Sequence, residues 1–412
     1  MNIYHRLKRA RRLRSMGRAF DTVLERQRKN HPSDLEERRR RLRRVREEAV
    51  GNPELLGQAI ANLEKNAFRV LRAATIEEAQ ELIVREIGEE KLVVKAKSNL
   101  TREVGLEEVL AQRGVEVIDT DIGDRIIQLA GDRPSHPTGP ASHLDRYDIA
   151  GILSRHLGRE VEASPQGLTS LLRQEVSGYI QRARIGITGA NAICAEEGAV
   201  VLLHNEGNIQ QVSLSPGKHL VLAGTDRIYP NLEEAINLAR LLTYYATGDV
   251  LTSFINVIGG PSKTADIEKK LFRGVHGPQE VVVILVDNHR SFLLGSEFRE
   301  LLYCIGCGEC LLFCPAYRAF GPEYSGREPG GRGAVLEAVV RDEQKALELC
   351  LTCGRCHKNC PLEIDIPAMV LKLRKAHLAG GWEFLDSHLR WLGRRAELEV
   401  WPLLAAFLSD RR

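Results

Sequence analysis

Eight of the chain's nine cysteines fall within residues 304–360, in two copies of one spacing. Cys304, Cys307, Cys310 and Cys314, the last followed by Pro315, repeat as Cys350, Cys353, Cys356 and Cys360, followed by Pro361. C-x2-C-x2-C-x3-C-P is the spacing of bacterial [4Fe–4S] ligation. Three thiolates so spaced reach three corners of one cubane. The fourth, held by its proline, turns away to the other cluster. The pattern therefore assigns one cluster to Cys304, Cys307, Cys310 and Cys360, and the second to Cys350, Cys353, Cys356 and Cys314. Zinc knuckles use isolated C-x2-C pairs and need neither a third cysteine in register nor the proline. Disulfides require an oxidising compartment, to which nothing in the sequence points. The ninth cysteine, Cys194, lies beside a strand and reads as a small buried residue.

At 412 residues the chain has room for two or three domains with true cores. Its formal charge of +3 is unevenly spread, because residues 1–50 hold 17 Lys or Arg against 7 Asp or Glu. The longest apolar runs, 281–286 and 199–203, have strand length and are far short of a membrane span. Arg11-Arg12 is followed by no apolar stretch, so a twin-arginine export signal is rejected. The cytoplasm is the expected compartment.

The first 70 residues read as helices. Ser33-x-x-Glu36 is a capping-box pattern opening the basic segment 35–50. Pro53 starts a further helix expected to run to about residue 73, with Leu55, Ile60, Leu63 and Val70 on its buried side. Arg38, Arg39, Arg40 and Arg41 have no interleaved aromatics, which argues against nucleic acid as a partner. A solvated face or a partner-docking surface fits better, and an anionic membrane surface is a second candidate for peripheral contact.

From Thr75 helix and strand alternate. Thr75-x-x-Glu78 caps a helix ending near Gly88, 92–95 is a strand, 101–112 a helix and 115–118 a strand, a βαβ pattern that implies a parallel sheet. Strands follow at 185–188, 199–203, 219–223 and 281–286, with a helix at 232–242. Such sheets bind ligands in loops at the carboxyl ends of their strands. Lys97 and Ser98 lie in one such loop, where a phosphate or carboxylate would be met by a cation and a helix N-terminus, although ordinary capping by Asn99 or Thr101 explains the loop equally well. Gly189-Ala-Asn191, followed by Glu196-Glu-Gly198, comes just after a strand; its glycines permit close backbone approach and Glu196 could serve as a base or a hydrogen-bonding partner, and Ser215–His219 forms a third, basic loop. His136 and His143, in a Pro/Gly-rich loop, read as structural. No G-x-G-x-x-G follows a strand, and Gly259-Gly-Pro-Ser-Lys263-Thr264 has the wrong spacing for a phosphate loop. After residue 286 helices at 293–302 and 334–349 lead into the two cysteine runs. A helix at 367–379 and a tail with Trp382, Trp391 and Trp401 follow.

Several phrases carry a family resemblance. Lys97-Ser98, Ile126-Ile-Gln-Leu-Ala-Gly131 with Pro134-Ser-His136, Gly186-Ile-Thr-Gly189-Ala-Asn191, Glu196, Gly198, Asn205-Glu-Gly-Asn208 and Ala246-Thr-Gly248, taken with the paired cysteine runs, resemble the lactate-utilisation protein B family of LUD-domain iron–sulfur proteins. The resemblance covers about residues 60–380. It implies an α/β LUD domain with a parallel sheet like that of sugar-phosphate isomerases and CoA transferases, followed by an α-helical two-cluster ferredoxin module. The expected boundaries are 1–73 for a basic helical arm, 74–292 for the LUD domain, 293–380 for the two-cluster module and 381–412 for a helical tail. It also implies two protein partners, a Cys-rich redox protein and a second LUD-domain protein, and oxidation of L-lactate to pyruvate without a nicotinamide cofactor.

The expected function is that of an electron-transfer subunit with two [4Fe–4S] clusters in a complex oxidising L-lactate or a related 2-hydroxy acid. Lys97, Ser98, Asn191 and Glu196 are the expected LUD pocket. One alternative makes the LUD domain itself catalytic. Another makes the chain an adaptor that feeds ferredoxin, a flavoprotein or quinone, with a small anionic ligand in its LUD domain.

Overall fold

The computed structural model describes residues 3–324 and 328–378. The chain forms two compact units. One is built from residues 3–26, from Arg133–Leu144 and from the described residues from Cys307 onward; the other is Gln27–Asp132 with Asp145–Gly306.

The second unit holds twelve strands. They are β1 (Arg69–Ala73), β2 (Leu92–Lys95), β3 (Glu116–Asp119), β4 (Ile185–Gly189), β5 (Ala192–Cys194), β6 (Ala199–His204), β7 (Lys218–Gly224), β8 (Ile228–Tyr229), β9 (Phe254–Ile258), β10 (Lys263–Thr264), β11 (Phe272–Arg273) and β12 (Glu280–Val286). Six make a wholly parallel sheet in the order β1-β12-β7-β4-β2-β3. β12 shows why its sequence is an unbroken apolar run. Val282, Ile284 and Val286 enter the core on one face, and Val281, Val283 and Leu285 enter the core on the other. A strand covered on both faces has no polar side to alternate with. The first core is closed by the helices Ile76–Ile87, Asn99–Val104 and Leu106–Ala111, the second by Pro53–Lys65 and a second sheet.

That second sheet corrects the sequence reading. The strand at 199–203 does not join the parallel sheet; β6 pairs antiparallel with β5 and β9, in the order β8-β5-β6-β9. Three helix expectations also change. The helix from Pro53 stops at Lys65, where Asn66 caps it and Ala67 takes φ 65°, and the chain re-emerges as β1 at the sheet edge. The helix expected at 101–112 is two, broken by left-handed Gly105. The Ser33 capping box does not form: the N-cap is Asp34, whose carboxylate takes Arg38 Nη2 at 2.5 Å.

The basic helix Leu35–Ala49 is docked within its own unit. Arg41 pairs with Glu233 and Glu234 at 2.6 and 2.7 Å, and Arg43 with Glu47 and Glu300 at 2.6 and 2.5 Å. Arg46 is wholly buried. Its guanidinium donates to the carbonyls of Asp226, Leu302 and Tyr303, so this helix holds the segment that enters the first cysteine run.

In the first unit the helix entering the second run is shorter than expected. Gly330–Arg341 ends at left-handed Asp342, and a 3-10 turn, Lys345–Leu349, delivers Cys350. Likewise, in the second unit, residues 293–302 divide between the helix Arg290–Leu294 and the 3-10 turn Arg299–Tyr303. The last described helix is Ile366–Leu378; Trp382, Trp391 and Trp401 lie outside the described residues.

Candidate iron–sulfur site and the carboxyl edge of the sheet

The repeated spacing produces repeated backbone. The residue before the second cysteine of each run is left-handed, Gly306 at φ 76° and Thr352 at φ 49°. In that conformation each N–H turns back on the first cysteine, giving Gly306 N–H to Cys304 Sγ and Thr352 N–H to Cys350 Sγ, both at 3.4 Å. The residue after the second cysteine is also left-handed, Gly308 at φ 80° and Gly354 at φ 78°, and starts a short helix carrying the third cysteine. Pro315 opens the helix Pro315–Phe320, whose Tyr317 N–H reaches Cys314 Sγ at 3.4 Å.

Cys314, Cys350, Cys353 and Cys356 line one cavity. Pro315, Tyr324, Ile366 and Pro367 close it with largely apolar surface, and Cys310 reaches its wall. The donor set fits an iron–sulfur cluster: four soft thiols converge on one space, and backbone N–H groups are aimed at sulfur. Burial pushes Cys314 up to about 12 against the favourable Tyr317 N–H, with Cys350 and Cys353 adding to the rise, and burial also drives Cys356 upward. Thiols so placed need a cationic centre before they ionise together, which iron would supply. Cys194 is different: fully buried and pushed up to about 12 by that burial, it is an inert core residue.

The four expected pocket residues have separate surroundings. Lys97 Nζ stands 2.7 Å from Asp121 Oδ2, so its charge already has a counter-ion. Ser98 is buried and caps the helix Asn99–Val104. Gly189 gives it room, since a Cβ there would lie 2.6 Å from Ser98 Oγ. Asn191 serves the second sheet: its Oδ1 accepts Leu203 N–H at 2.9 Å, and its own N–H donates to Val201 O. Glu196 is exposed on the β5–β6 turn, where Asn62 donates to its carbonyl.

The structure gathers other groups beside Lys97. Glu206 Oε2 accepts Ile122 N–H at 3.0 Å, Arg102 pairs with Asp124 at 2.6 Å, and Asn208 donates to Thr120 Oγ1 at 3.2 Å. Although Glu206 as a residue reaches solvent, enclosure of its carboxyl, with Asp121 beside it, pushes it up to about 7. Burial raises Asp124 against the pull of Arg102 and Lys97. Lys95, at the end of β2, is buried against Asp119 and Glu107; burial opposes its charge, but the two carboxylates outweigh it and raise its pKa. The signal for this cluster was the stretch Asp119-Thr-Asp121-Ile-Gly-Asp124. Once β3 is laid beside β2, Lys95 and Asp119 fall opposite each other.

The fold and the cavity define a class: a two-cluster iron–sulfur protein carried on an α/β domain. The LUD domain model matches residues 56–286, and a 4Fe-4S dicluster domain matches residues 300–364. The chain is 37% identical over 327 residues to lactate utilization protein B of Geobacillus kaustophilus, covering 78% of this chain and 67% of the relative. It is 36% identical over 347 residues to an uncharacterized electron transport protein, YkgF, of Escherichia coli, covering 82% and 71%. A DUF162 family crystal structure from Deinococcus radiodurans aligns at 16% identity and a TM-score of 0.32, over 57% of this chain and 96% of that one. The chain belongs to the lactate utilization protein B family and is an iron–sulfur electron-transport protein with two [4Fe–4S] clusters. Among the described residues, no helix is long and apolar enough to cross a membrane.

Proposed function

We propose that this chain is the electron-transfer subunit of a complex that oxidises L-lactate, or a closely related 2-hydroxy acid, to the 2-oxo acid. The observation that carries the reading is the family itself, joined to a LUD scaffold and a thiol-lined cavity in one chain. Its partners would be a Cys-rich redox protein and a second LUD-domain protein, in the cytoplasm. The cysteine pairing read from the spacing is retained, supported for one cluster by the convergence of Cys314 with Cys350, Cys353 and Cys356.

Oxidising a 2-hydroxy acid releases two electrons and two protons. Bound clusters supply one-electron storage. The chain's own groups line the cavity with largely apolar surface and aim N–H donors at sulfur. At the sheet edge we assign ligand binding to Lys97 and Ser98. Glu206 is the neighbouring group able to hold a proton near neutral pH. Asn191 and Glu196 are assigned to shaping the second sheet, in keeping with their contacts.

The adaptor reading has one observation in its favour, the E. coli relative described only as an electron transport protein. An anaerobic assay separates the two. The chain is isolated with its bound partners, and L-lactate, D-lactate and glycolate are added in turn. Bleaching of the iron–sulfur absorbance by L-lactate alone supports the proposal. Bleaching by dithionite but by none of the three acids, with both partners verified present, sinks it and leaves the adaptor.

A further inference from the structure

The two cysteine runs are built alike, yet they differ beside their third residue pair. Gly308 and Gly354 occupy equivalent positions with nearly the same left-handed backbone. Among the described residues a Cβ on Gly354 would meet nothing within 4 Å, whereas a Cβ on Gly308 would lie 2.2 Å from His136 Nε2. A glycine is thus needed at 308 twice over, for its φ and for the close approach of an imidazole.

His136 comes from the Arg133–Leu144 segment of the same compact unit and is buried, with 5% of its surface exposed. Its ring is fixed. Thr138 N–H donates to Nδ1 at 3.3 Å, Thr138 Oγ1 stands 2.9 Å from the same nitrogen, and Phe20 packs against the ring at 5.5 Å. Tyr317 O–H donates to Ser135 O at 2.7 Å and ties this loop to the helix that follows Cys314. A backbone N–H can only donate, so Nδ1 carries the lone pair and the ring hydrogen belongs to Nε2. That N–H lies against the backbone residue that joins Cys307 to the turn bearing Cys310.

We propose that His136 sets the reduction potential of the cluster assigned to Cys304, Cys307, Cys310 and Cys360, by donating its Nε2–H to a sulfur of that cluster. Reduction adds negative charge that is shared by the sulfurs, and an N–H donor stabilises it, so His136 raises that potential. Among the described residues Gly354 has no such neighbour, so the contribution is assigned to the first cluster alone. The inference rests on the two clusters and is independent of the identity of the substrate.

The test is an EPR-monitored potentiometric titration of the full anaerobic chain with both clusters loaded, comparing the native protein with His136→Phe and His136→Gln. One midpoint potential should fall in His136→Phe while the other stays in place, and His136→Gln, which keeps a donor, should recover part of the loss. Two unchanged midpoints at full iron content would overturn the proposal. Should His136→Phe fail to retain its clusters, pulsed EPR of native protein carrying 15N-histidine decides. A histidine nitrogen coupling to a reduced cluster that disappears in His136→Gln supports the assignment. Histidine couplings that are the same in native protein and in His136→Gln refute it, since the backbone nitrogen of His357, which donates to Cys356, contributes equally to both.

Discussion

Replacing Arg46 with methionine keeps most of a long apolar stem and removes every donor. In the native protein that guanidinium is wholly buried and reaches Asp226 O and Leu302 O at 2.5 Å and Tyr303 O at 3.3 Å. It also lies 5.1 Å over the Tyr229 ring and 3.8 Å from Asp226 Oδ2. A buried acceptor left unpaired costs about 1–3 kcal/mol. The Tyr303 bond is long and adds little, and Asp226 keeps Arg290 at 2.5 Å and Arg227 at 3.2 Å. The net loss should therefore be about 3–5 kcal/mol, the range for breaking a buried charge network. For a unit of this size that corresponds to a fall of roughly 10 °C in thermal midpoint, measured on anaerobic holoprotein at one scan rate. Arg46→Lys, which preserves charge but not the fork of donors, should fall in between. Because Leu302 and Tyr303 immediately precede Cys304, Arg46→Met should also lower iron content. A shift of under about 2 °C with full iron would refute the view that this helix anchors the entry to the first cysteine run.

Three further outcomes are expected. Cys314→Ser should lower iron to about half and remove the EPR signal of the cluster it shares with Cys350, Cys353 and Cys356; loss of the other signal instead would reverse the pairing. Thr352→Gly should slow cluster loss in mild denaturant, because about 1–2 kcal/mol of left-handed strain at a β-branched residue outweighs the entropy cost of glycine, about 0.5–1 kcal/mol; faster loss would show that Thr352 is not strained. The raised pKa of Glu206 means that its contribution is fully present below the ordinary glutamate range and is lost as pH rises through about 7. Glu206→Gln, which mimics the protonated form, should flatten the decline of thermal midpoint between about pH 5 and pH 7, and an unchanged slope would remove Glu206 from the account.

Features with a fixed local spacing were legible in the sequence, and those made by neighbouring strands were not. The cysteine runs carry their own geometry, since C-x2-C-x2-C turns demand left-handed residues at 306, 308, 352 and 354 whatever surrounds them. The apolar run at 281–286 likewise marked a strand, and the structure shows it buried on both faces. β1 was hidden because Leu55, Ile60, Leu63 and Val70 extend a helical rhythm across the Asn66-Ala67 turn. The sheet-edge charges were hidden for a related reason. Lys97 looks like a free cation until β3 is placed in register beside β2 and brings Asp121 to it. Arg46 sits in what reads as a solvated basic helix, and only the fold reveals the carbonyls that it serves. The closeness of His136 to Gly308 joins residues far apart in sequence and had no local signal.

The most direct measurement is rapid-freeze EPR of the anaerobic, partner-bound chain after excess L-lactate, with iron, sulfide and spins counted in the same sample. The sample should hold about eight irons per chain, and electron transfer from L-lactate should give reduced signals from both clusters, which fade when an electron acceptor is added. Fully loaded clusters that dithionite reduces and L-lactate leaves oxidised, with both partners present, would contradict it.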